Sequence, residues 1–144
     1  MSNARRIANI SPRVQAIRGS SRLVAADASG TETLIPFTEQ TDIGNDFASN
    51  TFTCPIDGSY FVSFFGMCIN PDAYAFVTIR LNTTTKIAAY EDTQGGKTGS
   101  NNFNCSGIIV ASKDDTIKAF FGGGSTNSKL HEGAYGAISI MLVP

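Results

Sequence analysis

The side chains that most often carry catalysis are few in this sequence and stand far apart. His131 is the single histidine, and it lies in a glycine-rich stretch with no serine or cysteine at a motif-like spacing. A nucleophile needs an adjacent base, so this arrangement does not predict covalent catalysis, and we expect an exposed loop histidine. The cysteines Cys54, Cys68 and Cys105 are too scattered for a zinc site or a disulfide framework. The sequence therefore indicates a protein that is not an enzyme and binds neither a metal nor a cofactor.

Two other patterns resemble ligand-binding motifs, but structural roles explain them better. Residues 122–124 are three glycines, yet the lysine and serine or threonine of a phosphate-binding loop do not follow them. Asp114 and Asp115 are suited to a cation, but paired acids of this kind are more typical of a turn between two strands. We expect a flexible loop at the first position and a turn at the second.

Aromatic and amide side chains in predicted loops are the set best suited to contact a sugar. Aromatic rings offer an apolar face, and amides hydrogen-bond to hydroxyl groups. Because most loops are polar, simple solvation explains this composition as well, and both interpretations stay open. The predicted ligand-contacting residues are Tyr74, Tyr90, Asn101, Asn102, Asn127 and His131.

Charge is distributed unevenly along the chain. Five arginines precede the first acid, Asp27, whereas the remaining six basic and twelve acidic residues give the rest of the chain a charge of −6. Residues 1–12 are therefore predicted to form a basic arm suited to an acidic protein surface, although a solvated terminus explains them too. The arm lacks interleaved aromatic residues, so base stacking with nucleic acid is not supported. Its predicted anchoring residues are Arg5, Arg6, Ile7 and Ile10.

The elements that must position all these residues are strands. The 144 residues suit one domain, their charged fraction of 16% is low, and no helical stripe is sustained. No apolar run reaches the length needed to span a membrane, so we expect no membrane insertion. Alternating or continuous apolar runs predict strands at residues 13–18, 22–26, 33–37, 60–69, 75–81, 86–90, 105–111, 116–121 and 134–143, with long loops at 91–102 and 122–133.

The stretch from residue 60 to residue 69 organises the predicted sheet. It follows a turn at Asp57 and Gly58, and apolar side chains occupy both sets of alternate positions. One face can fill the core of a β-sandwich, while the other needs a second cover, which we expect to be another subunit. The closing stretch, 134–143, has the same character. The predicted subunit-interface residues are Tyr60, Phe61, Phe64, Phe65, Tyr135, Ile138 and Ile140.

An ordered set of residues resembles the C1q-like domain of the tumour-necrosis-factor/C1q jelly-roll superfamily. The resemblance covers residues 13–144. It implies an all-β fold, a ten-stranded jelly-roll β-sandwich that forms a compact homotrimer around a threefold axis. The residues that carry it are Phe37, Asp42, Phe47, the run from Phe52 to Pro55, the run from Gly58 to Tyr60, the run from Gly107 to Val110, Asp115 before a strand, and the closing run from Gly136 to Ile140.

Several departures distinguish the chain from the animal members of that superfamily. The spacings from Phe37 to Asp42 and from Phe47 to Phe52 are shorter, and no collagen-like repeat precedes the domain. The opening that begins at Pro12 is closest in style to free-standing versions from bacteriophages and bacteria. Where the resemblance implies calcium-binding carboxylates, this sequence has uncharged residues, so we expect no calcium site.

The resemblance and the basic arm together predict a non-enzymatic trimer of a virion surface. The expected role is a phage capsid decoration (cement) protein or a fibre-tip adhesin, because the residues after Met1 do not form a secretory leader and the opening is phage-like. Removal of a leader before Met1 stays open as the alternative. Its expected partners are two further copies of itself, the major capsid protein or another virion protein, and cell-surface glycans. The alternative is a secreted C1q-domain lectin that recognises microbial glycans, and a bacterial surface or spore-coat adhesin lies between the two.

The thiols separate these alternatives. In the implied jelly roll, the strand ending at Cys68 lies antiparallel to the strand beginning at Cys105, so these two residues are expected to be neighbours. A secreted protein would bridge such neighbours, whereas a virion protein assembled inside a cell keeps its thiols reduced. We predict three free cysteines.

Overall fold

The computed structural model describes residues 12–19, 23–24, 32–69, 74–92, 100–124 and 128–143. Within these ranges lie thirteen strands and one 3-10 turn, Gly133–Tyr135, and no helix long and apolar enough to cross a membrane. The strands are β1 (Pro12–Arg18), β2 (Leu23–Val24), β3 (Thr33–Leu34), β4 (Phe37–Asp42), β5 (Phe47–Ala48), β6 (Thr51–Thr53), β7 (Gly58–Ile69), β8 (Tyr74–Leu81), β9 (Thr84–Asp92), β10 (Ser100–Ala111), β11 (Thr116–Gly123), β12 (Lys129–Leu130) and β13 (Gly136–Val143).

The strands form two antiparallel sheets that face each other. Sheet 1 has the order β4–β1–β13–β7–β10. The short strand β12 pairs with the end of β7, on the same side of β7 as β13, and β2 pairs with β12. Sheet 2 has the order β5–β6–β11–β8–β9, with β3 also on β11. The predicted all-β jelly-roll sandwich is confirmed. The strands outnumber the ten that the resemblance implied, because five of them are pieces of two or three residues.

Strand β7 is the centre of sheet 1, as its sequence predicted. It pairs with β10 along its whole length, and its other side pairs with β13 and then with β12. Its side chains alternate between the two faces of the sheet. Tyr60, Val62 and Phe64 point inward and join one buried apolar cluster with residues of sheet 2.

This alternation corrects the predicted subunit interface. Ile138 pairs with Phe64 and Ile140 with Val62, so these side chains share the inner face of sheet 1 with Tyr60. Tyr60, Phe64, Ile138 and Ile140 are all buried in the core of the single chain, and no second subunit can reach them without opening the sandwich. Phe61 and Phe65 face outward.

A buried arginine fixes the turn that leads into β13. Arg18 Nε donates a hydrogen bond to the His131 carbonyl at 3.1 Å, and its Nη1 donates to the Pro36 carbonyl. Burial lowers the pKa of Arg18 to about 10, against the opposing effect of Glu132, so the guanidinium is still charged at neutral pH. A Cβ atom at position 136 would lie 2.6 Å from the Arg18 Cγ, which explains the glycine there.

Candidate functional site

The outer face of sheet 1 carries several apolar side chains that the described chain leaves uncovered. The register places Ile108, Phe61 and Met141 side by side in one row across β10, β7 and β13. Val110 and Val143 flank Ser59 in the next row, towards the start of β7. We call these five apolar residues, together with Phe65, the outer apolar face.

Several residues of this face are far more exposed than apolar side chains usually are. Val110 is 75% exposed, Ile108 is 62% exposed and Phe65 is 46% exposed, whereas Phe61, Met141 and Val143 are half-buried. Single exposed apolar residues are common, but apolar neighbours on three adjacent strands form a patch of the kind that marks an interaction site. The outer apolar face is therefore the candidate functional site.

A polar row crosses the middle of the same face. Ser106, Ser63 and Ser139 are direct neighbours on β10, β7 and β13, and Gln15 continues the row on β1. Both faces of β7 were predicted to be apolar, so this row is a correction. Hydroxyl groups buried in an interface need hydrogen-bond partners, so the row restricts how another molecule can sit on the face.

His131 is held in contacts and is not the exposed loop residue that the sequence suggested. Its Nδ1 lies 3.2 Å from Glu132 Oε2, and its ring centroid is 4.2 Å from that of Tyr135. Its backbone N–H donates to the Met67 carbonyl on β7. Tyr135 was also predicted to lie in the subunit interface, and like Phe61 and Phe65 it is not in the core. It is exposed in the turn before β13. The two rings therefore lie at the margin of sheet 1.

Two of the predicted loop amides lie in a strand. Asn101 and Asn102 belong to β10, which begins at Ser100, so the predicted loop at 91–102 ends earlier than expected. Asn101 Nδ2 donates to Glu91 Oε1 at 3.1 Å, which ties β10 to β9 at the edge of the sandwich. Asn102 is exposed opposite Met67, and Asn127 lies outside the described residues.

The two predicted tyrosines meet each other on sheet 2. Tyr74 stacks on Tyr90 with ring centroids 5.7 Å apart and on Phe76 with centroids 6.1 Å apart. Sequence reasoning missed Phe76, although its spacing of two from Tyr74 on the same strand indicates a shared face. These three rings lie on the outer face of sheet 2, away from the outer apolar face.

The predicted turn at Asp114 and Asp115 is confirmed. Asp115 accepts hydrogen bonds from the Ser112 N–H and from Asn82 Nδ2, both at 2.8 Å. These two hydrogen bonds hold the pKa of the Asp115 carboxyl below its usual value, and the bond from Asn82 has the larger effect. The carboxylate is thus used to close the turn, and the described part of the chain contains no group of three or more potential metal ligands.

The anchoring residues of the basic arm, Arg5, Arg6, Ile7 and Ile10, lie outside the described residues. The structure does change the charge argument that introduced them. Arg18 was counted among the five arginines that precede the first acid, but it is buried within the domain. The first described strand also begins at Pro12, which pairs with Met141. Of the five arginines, only Arg5 and Arg6 therefore precede that strand.

The register of β7 and β10 separates Cys68 from Cys105. Cys68 is opposite Asn101 and Cys105 is opposite Phe64, four residue pairs away, or about 13 Å along the strands. A disulfide needs Cα atoms within about 7 Å, so these two cysteines are not bridged, although the resemblance suggested that they are neighbours. All three cysteines are free thiols.

Comparison with known proteins assigns the fold. No family model and no curated protein matches this sequence. Among solved structures, the globular domain of zebrafish complement 1qA protein matches with a TM-score of 0.62 and 13% identity, over 93% of this chain and 98% of that one. Murine APRIL matches with a TM-score of 0.66 and 11% identity, over 90% of this chain and 97% of that one. The chain therefore has the C1q/TNF-like jelly-roll fold that its sequence resembled.

The thiols provide a test of this structure. Burial raises the pKa of Cys54 and Cys68 to about 12 and that of Cys105 to about 11. Only the thiolate reacts with iodoacetamide, so the native protein should be alkylated slowly at pH 8. As the pH rises towards 10, Cys105 should react first, because its pKa is the lowest of the three. Mass spectrometry of peptides from timed reactions measures this order.

The same reagent counts the thiols in unfolded protein. Without any reductant, the protein in guanidinium should take up three alkyl groups. A single group would reveal a disulfide, and a bridge between Cys68 and Cys105 would contradict the register of β7 and β10.

Proposed function

We propose that this chain forms a homotrimer through the outer apolar face and that the trimer is a non-enzymatic structural or adhesive protein of a virion surface. The fold itself is C1q/TNF-like. The finer role, as a capsid decoration (cement) protein or a fibre tip, rests on the sequence features described above. The observation that carries the proposal is the exposure of apolar side chains on three adjacent strands of sheet 1.

Leaving this face in water is costly for a single chain. Burying a large apolar side chain stabilises a structure by about 1.5–3 kcal/mol. Val110, Ile108 and Phe65 retain much of their surface in the monomer, so covering them supplies a favourable free energy for association. Further copies of the chain are the cover that the resemblance implies, in the form of a threefold trimer.

The serine row supports a closed, specific assembly over loose apolar association. Ser63, Ser106 and Ser139 interrupt the apolar surface at a fixed height along the strands. When the face is covered, their hydroxyls must find partners, and an unsatisfied buried hydroxyl costs about 1–3 kcal/mol. One register of the subunits can pair all of these groups, and slipped registers leave some of them unpaired.

The location at a virion surface is supported by charge and by the opening sequence. Arg5 and Arg6 are followed by Ile7 and Ile10. The arm therefore offers guanidinium groups that can donate two hydrogen bonds to a carboxylate, together with apolar side chains that can be buried against a partner. An acidic shell protein is a partner of matching charge. The stretch from Pro12 onward is similar in style to free-standing phage domains of this superfamily.

A secreted lectin is the second candidate, and the stacked tyrosines favour it. Tyr90 is 61% exposed and stacks on Tyr74, an arrangement that can receive an apolar ligand face. The C1q/TNF-like fold is compatible with both functions. Binding to capsids separates them, because the lectin has no reason to bind a viral shell.

The trimer interface can be tested with Phe65→Asp. A charge buried without a partner costs several kcal/mol, and each 1.4 kcal/mol is a tenfold change in affinity. At micromolar concentration the variant should therefore sediment as a monomer with an unchanged circular dichroism spectrum. Ile108→Asp should behave in the same way.

Ile56→Asp is the matched control. Ile56 is 44% exposed, nearly as much as Phe65, but it lies in the segment between β6 and β7 and not on sheet 1. This variant should remain a trimer. If Phe65→Asp and Ile108→Asp assembled as well as Ile56→Asp, the outer apolar face would not be the interface.

The anchoring role of the arm can be tested by deleting residues 2–11. β1 begins at Pro12, so the truncated chain should still form a folded trimer. It should no longer bind undecorated capsids in a co-sedimentation assay. Binding of the intact chain should weaken as salt rises, because exposed ion pairs are screened over about 10 Å at 0.1 M.

A charge-reversal pair refines this experiment. Arg5→Glu with Arg6→Glu should weaken capsid binding strongly, whereas Lys113→Glu, in an exposed turn of the domain, should not. Equal capsid binding by the truncated and intact trimers would rule out the arm as the anchor. Binding of both forms to glycans and of neither to capsids would favour the lectin.

A further inference from the structure

Three aromatic rings form a continuous row on the outer face of sheet 2. Phe76 stacks on Tyr74 with an interplanar angle of 15°, and Tyr74 stacks on Tyr90 with an angle of 17°. We call Phe76, Tyr74 and Tyr90 the aromatic row. Phe76 and Tyr74 are half-buried, and Tyr90, the last ring, presents 61% of its surface to solvent.

The backbone beneath the row holds the rings in place. Phe76 pairs with Tyr90 on one side and with Gly122 on the other. Its ring lies over that glycine, because a Cβ atom at position 122 would be 2.5 Å from the Phe76 Cζ. The rings are thus carried by the paired strands β8 and β9, with Gly122 of β11 beneath Phe76, and this packing positions them before any ligand arrives.

Beside the row on β8 and β9, the described part of the sheet presents small side chains and then an ion pair. The next outward-facing pair along β8 and β9 is Thr78 with Ala88, which are smaller than the rings. Beyond them, Arg80 pairs with Glu32 and covers the Phe120 ring at 4.6 Å. Thr78 Oγ1 donates to the other Glu32 oxygen at 3.2 Å. The surface beside the rings therefore ends at the ion pair of Arg80 and Glu32, and the Glu32 carboxylate already accepts hydrogen bonds.

The size of the row argues against a protein partner. Tyr90, which is 61% exposed, and the two half-buried rings together offer about 300 Å² at most, since an aromatic residue buries about 150–250 Å². A stable protein interface needs about 800 Å² on each side. The row suits a ligand with the dimensions of one or two small rings.

The charge of the row argues against nucleic acid. Nucleobases also stack on aromatic rings, but their phosphates need basic groups nearby. Among the described residues of β8 and β9, the guanidinium of Arg80 lies on the same face as the row, and Glu32 engages it. A neutral ligand with an apolar face and hydroxyl groups at its edge fits these conditions.

We infer that the aromatic row is a binding site for the ring of a neutral carbohydrate, with Tyr90 as the principal contact. The apolar face of a pyranose ring packs on Tyr90, and the ring hydroxyls face the solvent and the tyrosine oxygens. This site lies on sheet 2 and does not depend on the trimer or on the virion location. In a trimer the three copies would act together and raise the affinity of a weak single site for a repeating glycan.

Direct binding to sugars tests this inference. The probes are neutral oligosaccharides of glucose, galactose, mannose and N-acetylglucosamine, measured by saturation-transfer NMR with the full chain. The chain has four tyrosines and no tryptophan, so tyrosine fluorescence provides an independent titration. At least one oligosaccharide should bind with a millimolar or lower dissociation constant, and its ring protons should receive the saturation.

Substitutions at Tyr90 locate the site. Tyr90→Ala should weaken binding by about tenfold or more, while Tyr90→Trp, which keeps a ring face, should stay within about threefold of the original chain. Tyr135→Ala is the matched control, because Tyr135 is similarly exposed, at 56%, but belongs to the other side of the molecule. It should bind the sugars normally.

Each other outcome overturns the inference. The highest oligosaccharide concentration tested is about 10 mM, which is enough to detect a millimolar dissociation constant. If none of the oligosaccharides binds at that concentration, the row is not a carbohydrate site. Equal binding by Tyr90→Ala and the original chain, or equal losses in Tyr90→Ala and Tyr135→Ala, would place any sugar site elsewhere. The trimer is measured separately by sedimentation, so failure here leaves the proposed assembly unaffected.

Discussion

Strand β7 carries apolar side chains on both of its faces, and the rest of the structure depends on this constraint. It is paired along its length with β10 and on its other side with β13 and β12. Its inner side chains fill the core between the sheets, and its outer ones, with their neighbours, form the outer apolar face. The strand that stabilises the single chain therefore also contributes to the surface through which we propose that the chain associates. In this proposal, fold and assembly follow from one sequence pattern.

Much of this fold can be predicted from the sequence, because alternation of side chains is a local property. The apolar positions of residues 60–69 identify a central strand without any knowledge of its partners. Which face becomes the core depends on the register with β13, and register is not a local property. For this reason Phe64 and Ile140 were assigned to the interface and are found in the core. Similarly, the polar start of β10 looks like a loop, yet its pairing with β7 makes it a strand.

The candidate sites were less predictable than the fold, since they arise from contacts between distant residues. The serine row forms only when three strands pair in one register. The aromatic row forms only when Tyr90 on β9 stacks on Tyr74 of the neighbouring strand β8. Arg18 shows the same limit: a count of charges places it with the basic arm, whereas its carbonyl partners place it inside the domain. The order of charges along the sequence therefore does not predict the role of Arg18, because that role depends on its contacts in the folded chain.

The central claim is that the outer apolar face is covered by copies of the same chain. Sedimentation equilibrium of the unmodified protein, over a series of concentrations from nanomolar to micromolar, tests it most directly. The account predicts one species with the mass of three 15.3 kDa chains at micromolar concentration. A stable, soluble monomer of 15.3 kDa throughout the series would contradict it.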